Sequence, residues 1–154
     1  MSWVGLQLQG CRDNHEKCGK EENLMESMPT RVIAVGTPGD MYVHLEEPSA
    51  GKTESYVALS YCWGGGQEEI MTTKANRPEK LREIALGSLP QTIQDAITVT
   101  RELRYKYIWV DAICIVQDDE EDCAREVSAM SLVYSGASLT ISAAKANNSK
   151  QGFL

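Results

Sequence analysis

Apolar residues fall in three short runs along the chain, at positions 56–61, 107–116 and 137–144. Their nearly continuous apolar character is typical of strands that are buried on both faces. Stretches with helical periodicity separate the three runs. This alternation predicts right-handed crossover connections and an α/β fold, with a mainly parallel sheet and flanking helices.

The first helical stretch follows Ser88, the predicted N-cap, and Pro90 suits its first turn. Before it, residues 67–88 predict a long connection with a short helical turn. The apolar positions of the first helix predict a stripe that faces the core. This stripe consists of Ile93, Ala96, Ile97, Thr100 and Leu103. The second helix follows an acidic run at 118–122, which suits the positive end of a helix dipole. Its predicted apolar face consists of Val127, Met130 and Tyr134.

The first part of the chain is less regular. Positions 31–35 and 41–46 predict two short strands, and the Thr-Pro-Gly-Asp sequence between them favours a tight turn. The pair therefore predicts a β-hairpin that extends the sheet or covers one of its edges. Residues 1–30 are interpreted as an irregular lead-in. We expect a single domain over the whole chain, with its α/β core at 31–154.

Composition and charge restrict the classes of function. Of the 154 residues, 42% are apolar, which argues against a disordered chain. The net charge of −7 disfavours nucleic acid as a partner, because an acidic surface repels phosphate backbones. No apolar stretch approaches the ~20 residues of a membrane-spanning helix, and no signal-peptide pattern opens the chain. The five cysteines are irregularly spaced, so we expect reduced thiols and a cytoplasmic protein.

Two loops are candidates for chemistry, since ligands of parallel α/β sheets bind beyond the carboxyl ends of the strands. One loop follows the run at 56–61, and the other begins at Asp111 within the run at 107–116. If the two strands are neighbours, both loops face one crevice. The predicted substrate-binding residues are Ser60, Tyr61, Trp63, Gly64, Gly65, Gln117 and Asp118.

Two carboxylates are the candidate catalytic residues, and each also has a structural interpretation. Asp111 interrupts an apolar strand, where a carboxylate is costly unless it is paired. It either accepts backbone N–H bonds and fixes a loop, or points into the crevice to bind a ribose hydroxyl or act in catalysis. Glu126 lies in the acidic helix and is either a solvated surface residue or a group that points toward the loop of Trp63.

Three glycines follow Trp63, at positions 64–66. They either form a tight loop or present N–H groups as a nest for phosphate. The sequence around them matches neither a Walker loop nor the Gly-x-Gly-x-x-Gly fingerprint. Trp63 itself is either a core residue or a platform on which a planar or cationic ring stacks.

Metal binding and cysteine catalysis have less support. Cys11, His15 and Cys18 are spaced like half of a zinc site, but three ligands are too few for a closed structural site. A cysteine nucleophile needs a base near its thiol, and the two histidines, His15 and His44, lie outside the crevice loops. We predict no metal, no resident cofactor and a buried, inert thiol at Cys114.

The crevice residues also carry a family resemblance. Residues 56–64, Tyr-Val-Ala-Leu-Ser-Tyr-Cys-Trp-Gly, resemble the first signature of the HET domain, the heterokaryon-incompatibility domain of filamentous fungi. A second signature runs from Leu-Pro-Gln-Thr-Ile at 89–93, through Tyr-Ile-Trp-Val-Asp at 107–111, to Glu126. The Gly-Phe-Leu sequence at 152–154 resembles the family's tail. The resemblance therefore covers nearly the whole chain.

The resemblance implies a role in fungal nonself recognition, in which HET domains trigger programmed cell death when incompatible hyphae fuse. Other incompatibility proteins would be its partners. Such a domain is usually the effector part of a larger protein with a separate sensing region. The chain departs from the family pattern at Tyr105, where glycine is common, and at Cys123, where an aromatic residue is common. Both positions lie away from the predicted crevice.

The resemblance further implies a distant relationship to TIR domains, which have a flavodoxin-like α/β fold. Several TIR domains hydrolyse NAD with a glutamate on a helix. Loss of nicotinamide from NAD passes through an oxocarbenium-like sugar, which a nearby carboxylate can stabilise. This points to Glu126 as the catalytic group. Asp111 is its rival, because Glu126 follows an earlier strand of the core than the TIR glutamate does.

The sequence leaves two hypotheses open. In the first, the chain is an enzyme whose substrate is NAD or a related nucleotide. In the second, it is a non-enzymatic module that self-associates and recruits a partner through its charged helix faces at 79–83 and 119–126.

Overall fold

The computed structural model describes residues 3–15, 28–64, 68–143 and 152–154. The strands in these ranges are β1 (Val32–Ala34), β2 (Tyr42–Glu46), β3 (Val57–Ser60), β4 (Ile84–Ala85), β5 (Tyr107–Trp109) and β6 (Leu139–Ser142). The helices are α1 (Trp3–Asn14), α2 (Arg77–Lys80), α3 (Gln91–Glu102), α4 (Asp111–Cys114) and α5 (Glu120–Gly136). A 3₁₀ turn, Leu86–Ser88, precedes α3.

The six strands form one mixed sheet in the order β4-β2-β1-β5-β3-β6. Strand β3 pairs in parallel with β5 and β6, whereas the β4–β2, β2–β1 and β1–β5 pairs are antiparallel. The predicted α/β class is confirmed, but the prediction of a mainly parallel sheet is wrong. The reason lies in the N-terminal hairpin, because its first strand, β1, joins the middle of the sheet beside β5.

A row of apolar side chains crosses the sheet and fixes its register. Leu45, Ile33, Ile108, Val57 and Leu139 lie opposite one another on successive strands, from β2 to β6. The first four are almost completely buried. Burying each such side chain contributes roughly 1.5–3 kcal/mol, so this row is the centre of the core.

Helix α3 covers one face of this core, as its periodicity predicts. Its buried side chains include four of the five predicted stripe residues, namely Ile93, Ala96, Ile97 and Thr100. The fifth, Leu103, lies just past the end of the helix and is only partly buried. The predicted N-cap is wrong, because Pro90 takes that position. Ser88 instead belongs to the 3₁₀ turn, where its hydroxyl donates to the carbonyl oxygen of Ala85 at 2.7 Å.

The apolar run at 107–116 is not one continuous strand. Strand β5 ends at Trp109, and the chain turns at once into the short helix α4. Three residues of that helix, Ala112, Ile113 and Cys114, are completely buried. A continuous apolar run is compatible with a buried strand and with a buried helical turn. The pattern therefore did not show that the strand ends at Trp109 and a helix follows.

Helix α5 begins inside the acidic run at 118–122, with Glu120 as its first residue. Asp119 is its N-cap and accepts hydrogen bonds from the backbone N–H groups of Glu121 and Asp122. Its predicted apolar face is wrong at one position, because Val127 is 59% exposed and Val133 is buried. The remaining two predicted residues, Met130 and Tyr134, do pack against the core.

Three other stretches differ from the sequence-based expectation. Residues Trp3–Asn14 form α1, although 1–30 is predicted to be irregular. The long connection at 67–88 holds both α2 and the edge strand β4. The last predicted strand is present as β6, while Ala144, its predicted end, lies outside the described residues.

Candidate functional site

The carboxyl ends of β3 and β5 lie side by side, because these strands are neighbours and run in parallel. After β3 the chain continues to Trp63, and after β5 it enters α4, whose first residue is Asp111. The prediction of a shared crevice required these two strands to be neighbours, and they are. The two predicted loops therefore lie at one edge of the sheet. Such an edge is where ligands of open α/β sheets bind.

A hydrogen bond joins the two loops directly. Nε1 of Trp63 donates to Oδ2 of Asp111 at 2.8 Å, and the backbone N–H of Ala112 donates to Oδ1 at 2.8 Å. Burial raises the pKa of Asp111, and these two hydrogen bonds oppose that rise only in part. Asp111 is thus a partly buried carboxyl held by neutral donors. Groups with pKa values perturbed in this way are enriched at catalytic sites.

Aromatic side chains surround this carboxyl. Burial raises the pKa values of the Tyr61 and Tyr134 phenols, and the nearby charge of Asp111 raises them further. The hydroxyl of Tyr134 donates to the carbonyl oxygen of Leu59 at 3.2 Å. Its ring meets that of Trp109 edge to face, with ring centroids 5.6 Å apart. The surroundings of Asp111 are therefore poor in charge, which strengthens any electrostatic interaction it makes.

Two other predicted residues, Gln117 and Asp118, form hydrogen bonds in and next to the turn that contains Asp111. Nε2 of Gln117 donates to the carbonyl oxygens of Asp111 and Ile115 at 3.2 and 3.3 Å. Asp118 is exposed and accepts the backbone N–H of Lys74 at 2.8 Å. Gln117 therefore lies beside Asp111, while Asp118 ties the end of this turn to the connection before α2.

The remaining predicted binding residues follow β3. Ser60 is exposed at the end of the strand, and Tyr61 is partly buried after it. Gly64 has a φ of 65°, a conformation that glycine adopts without strain. Gly65 lies outside the described residues.

Glu126 is buried, which contradicts one of its two predicted interpretations. It is only 2% exposed and so is not a solvated surface residue. Its carboxylate lies 3.4 Å from Nε of Arg125 and 3.9 Å from a terminal nitrogen of Arg31. Among the described residues, Oε1 of Glu126 has no hydrogen-bond partner, since neither arginine approaches it with suitable geometry.

Arg31 is the centre of this second cluster. It is 3% exposed, and its Nε donates to the carbonyl oxygen of Cys114 at 2.6 Å, while a terminal nitrogen donates to Asp122. Asp122 also accepts the backbone N–H of Val116 at 2.9 Å and pairs with Arg125. Burial alone would raise the pKa of Asp122, but the hydrogen bonds from Arg31 and Val116 hold it below its usual value.

Cys114 lies between the two carboxylate sites. It ends α4, and its Sγ accepts the backbone N–H of Val110 at 3.5 Å. Burial raises the pKa of its thiol to about 12, and the charges of Asp111 and Glu126 add to the effect. The thiol is completely buried, as predicted, and stays protonated at neutral pH.

An open groove with a volume of about 490 Å³ lies over the Arg31 cluster. Arg31, Arg77 and Arg125 line it, together with several carboxylates that include Glu47 and Asp122. Nε of Arg77 donates to Glu47 at 2.9 Å, and a terminal nitrogen of Arg31 lies 3.8 Å from the same carboxylate oxygen. The chain therefore has two candidate sites, an aromatic one at Asp111 and a strongly charged one at Arg31.

A family model described as heterokaryon incompatibility protein (HET) matches residues 56–154. This chain belongs to the HET family. The predicted resemblance is thereby confirmed. Over 104 residues the HET chain is 31% identical to heterokaryon incompatibility protein 6, OR allele, of Neurospora crassa. That match covers 64% of this chain but only 15% of the relative. No solved structure matches the chain.

The matched HET segment contains β3, α4 and α5, and with them Trp63, Asp111 and Glu126. Arg31 and the β1–β2 hairpin precede it. Because β1 pairs with β5 and Arg31 contacts both Cys114 and Asp122, this preceding segment belongs to the same folded core.

Sequence reasoning missed Arg31 and Asp122. One feature of the sequence did indicate the burial of Asp122. Asp122, Glu126 and Met130 recur at a spacing of four residues, which places them on the same face of α5. Two of these three are charged, and charged positions at helical spacing normally indicate a solvated face. Arg31, which is distant in sequence, pairs with both buried carboxylates together with the neighbouring Arg125, and these ion pairs make the burial acceptable.

The remaining predictions concern metals and membranes. Sγ of Cys11 lies 3.3 Å from Nδ1 of His15, while Cys18 is outside the described residues. Within the described part of the chain, no three potential metal ligands stand together. None of the described helices is long and apolar enough to cross a bilayer.

Proposed function

We propose that this chain is the effector part of a fungal incompatibility protein and that it hydrolyses NAD or a related nucleotide. Membership of the HET family supports the incompatibility role, as does its likeness to a protein named for heterokaryon incompatibility. The observation that carries the enzymatic part is the hydrogen bond between Trp63 and Asp111, at the carboxyl ends of two neighbouring parallel strands.

The proposed reaction breaks the bond between ribose C1 and the nicotinamide nitrogen. The bonding electrons leave with nicotinamide, and water adds to ribose C1 and releases a proton to solvent. Asp111 is held in place by Trp63 and Ala112, and its carboxylate stabilises the positive charge that develops on the sugar. The partly buried ring of Trp63 offers a face on which cationic nicotinamide can stack. Ser60, Tyr61, Gly64, Gly65, Gln117 and Asp118 are the proposed substrate contacts.

Glu126 is the alternative catalytic carboxylate. Its Oε1 is buried and lacks a hydrogen-bond partner among the described residues, so it could accept one from a substrate hydroxyl. Arg125 lies 3.4 Å from it and lines the groove, so Arg125 would have to turn aside to admit a ligand.

The test is nicotinamide release by the purified chain at high protein concentration, followed by chromatography. Asp111→Asn and Glu126→Gln are compared with the parent after circular dichroism has established that both are folded. Loss of turnover in Asp111→Asn alone assigns the reaction to Asp111, and loss in Glu126→Gln alone assigns it to Glu126. If the parent releases no product from NAD or from other nucleotides, the enzymatic proposal is wrong.

A second candidate function is self-association that recruits a death-signalling partner. Helix α5 exposes two large apolar side chains, Val127 at 59% and Leu132 at 50%, beyond its acidic first turn at Glu120 and Glu121. Charge reversal at Glu120 and Glu121 should then abolish killing when the chain is expressed in fungal cells, whereas Asp111→Asn should not. A strictly monomeric chain that still kills would contradict this alternative.

A further inference from the structure

Glu47 stands where two arginines from different parts of the fold converge. It follows β2 directly and lies outside any helix or strand. One oxygen of its carboxylate accepts hydrogen bonds from two nitrogens of Arg77 and lies 3.8 Å from Arg31. The side chain of Glu47 is 35% exposed, against 4% for Arg31. Among the carboxylates that pair with these arginines, Glu47 is the most exposed and can turn outward, as can Arg77, whose side chain is 41% exposed.

Three arginines and three carboxylates meet here, and their charges cancel only while Glu47 stays in place. The set consists of Arg31, Arg77, Arg125, Glu47, Asp122 and Glu126, joined by ion pairs. Asp122, which lines the groove, and Glu126 are only 5% and 2% exposed, so neither carboxylate can turn outward as Glu47 can. If Glu47 turns outward, one positive charge is left uncompensated beside the buried Arg31. An anion from solution would restore the balance.

We propose that the groove binds the phosphate group of a small soluble phosphate ester, which replaces the Glu47 carboxylate between Arg31 and Arg77. Guanidinium groups match phosphate oxygens with paired hydrogen bonds, and Thr30 lines the same groove. The volume of about 490 Å³ is within the range of sites that hold small molecules. Glu47 thus occupies the ligand's position when the ligand is absent.

Glu126 supplies a second and independent indication of a ligand. Its Oε1 is buried without a hydrogen-bond partner among the described residues, and it lies behind the groove, 3.4 Å from Nε of the lining residue Arg125. Once Arg125 turns toward a bound phosphate, this oxygen can accept a hydrogen bond from a hydroxyl of the same molecule. Phosphate and hydroxyl together indicate a sugar phosphate, of which a mononucleotide is one example.

Other carboxylates on the rim restrict what can bind. Asp119 and Glu121 also line the groove, and their charges oppose an anion. The charge of Asp119 is partly offset by Lys74, 3.6 Å away, and by the N–H groups that it caps. The rim therefore favours a single phosphate group over a long polyanion such as nucleic acid.

The experiment is a titration of the ¹⁵N-labelled chain with AMP and with inorganic phosphate, following the arginine Nε–H signals by NMR. AMP should shift the signals of Arg31 and Arg77 saturably. Glu47→Gln should tighten binding by about threefold, because the exposed competing ion pair is lost. Arg77→Ala, on the exposed side of the groove, should weaken it by about tenfold, because its charged hydrogen bonds to phosphate are lost.

Lys106→Ala is the matched control and should bind AMP like the parent, because it removes an exposed positive charge that pairs with Glu54 outside the groove. No saturable shift in either the parent or Glu47→Gln would overturn the proposal, and so would weaker binding by Glu47→Gln. Vesicles that contain phosphatidic acid test for a lipid phosphate, and binding to them without binding of AMP would also overturn it. Because no turnover is measured, the result is independent of whether the chain hydrolyses NAD.

Discussion

Asp111 and Asp122 flank the same buried turn but have opposite electrostatic surroundings. Asp111 accepts hydrogen bonds from two neutral donors, Trp63 and Ala112, and burial raises its pKa. Asp122 is almost completely buried, which alone would raise its pKa, yet the pKa is lowered because Arg31, the N–H of Val116 and the charge of Arg125 together outweigh burial. Within the described residues, Asp111 is partly exposed and has no cation in hydrogen-bond contact, whereas Asp122 is enclosed and pairs with Arg31 and Arg125.

This difference separates a carboxylate that can react from one that holds the fold. A buried carboxylate paired with arginine is kept ionised and cannot be released without leaving the arginine uncompensated. A carboxyl held only by neutral donors has no fixed counter-charge, so the charge of a bound ligand can shift its pKa. We therefore expect the chemistry of this HET chain at Asp111 and its scaffold in the Arg31 cluster.

The largest expected effect comes from removing the centre of the scaffold. Arg31→Gln leaves Asp122 and Glu126 buried with Arg125 as their remaining cation. Breaking a buried ion pair in this way should lower the free energy of unfolding by about 3–5 kcal/mol. Urea denaturation followed by circular dichroism measures the loss.

Arg77→Gln is the matched control for that variant. Its side chain is 41% exposed and its partner Glu47 is 35% exposed, so this pair should contribute about 1 kcal/mol or less. If the two variants are equally destabilised, Arg31 is not the centre of a buried scaffold.

The next effect concerns the reactive carboxylate. Asp111→Asn should reduce the rate of nicotinamide release by about 100-fold, a typical loss when one stabilising group is removed from a transition state. The fold should persist, because Asp111 is not part of the buried ion-pair cluster. Comparable loss of the rate and of the free energy of unfolding would instead make Asp111 a structural residue.

The Asp111 site was predictable from the sequence, and the Arg31 cluster was not. The apolar run before Trp63 and the one before Asp111 are local patterns, and they became one site as soon as their strands proved to be neighbours. The contact between Arg31 and Asp122 spans 91 positions of the chain, and no local pattern connects them. Strand order has the same limit, because nothing in the hairpin's own sequence shows that β1 will pair with β5.

A change of pH should alter the stability contributions of Asp122 and Asp111 in opposite directions. The folded-state pKa of Asp122 is below its usual 3.8, so the stability it contributes is fully present above that value and is lost as the pH falls through the folded pKa. The pKa of Asp111 is above 3.8, so its contribution is present below that value and is lost as the pH rises through the folded pKa.

Urea denaturation of the parent, Asp122→Asn and Asp111→Asn at pH values below and above 3.8 measures how each aspartate changes the free energy of unfolding. The difference between the parent and Asp122→Asn should shrink as the pH falls below 3.8. Asp111→Asn should become steadily more stable relative to the parent as the pH rises above 3.8. Parallel pH profiles for the two variants would show that the two surroundings do not differ as described.

The smallest effect isolates the neutral donor at the reactive carboxyl. Trp63→Phe keeps a ring but removes the N–H that donates to Asp111, which should cost about 1 kcal/mol of stability. Because that hydrogen bond favours the ionised carboxylate, its loss should raise the pKa of Asp111 further, as measured by carboxyl ¹³C NMR. Trp109→Phe is the control, since the indole N–H of Trp109 has no hydrogen-bond partner among the described residues. An equal rise in both variants would mean that aromatic packing, and not the Trp63 hydrogen bond, sets the pKa of Asp111.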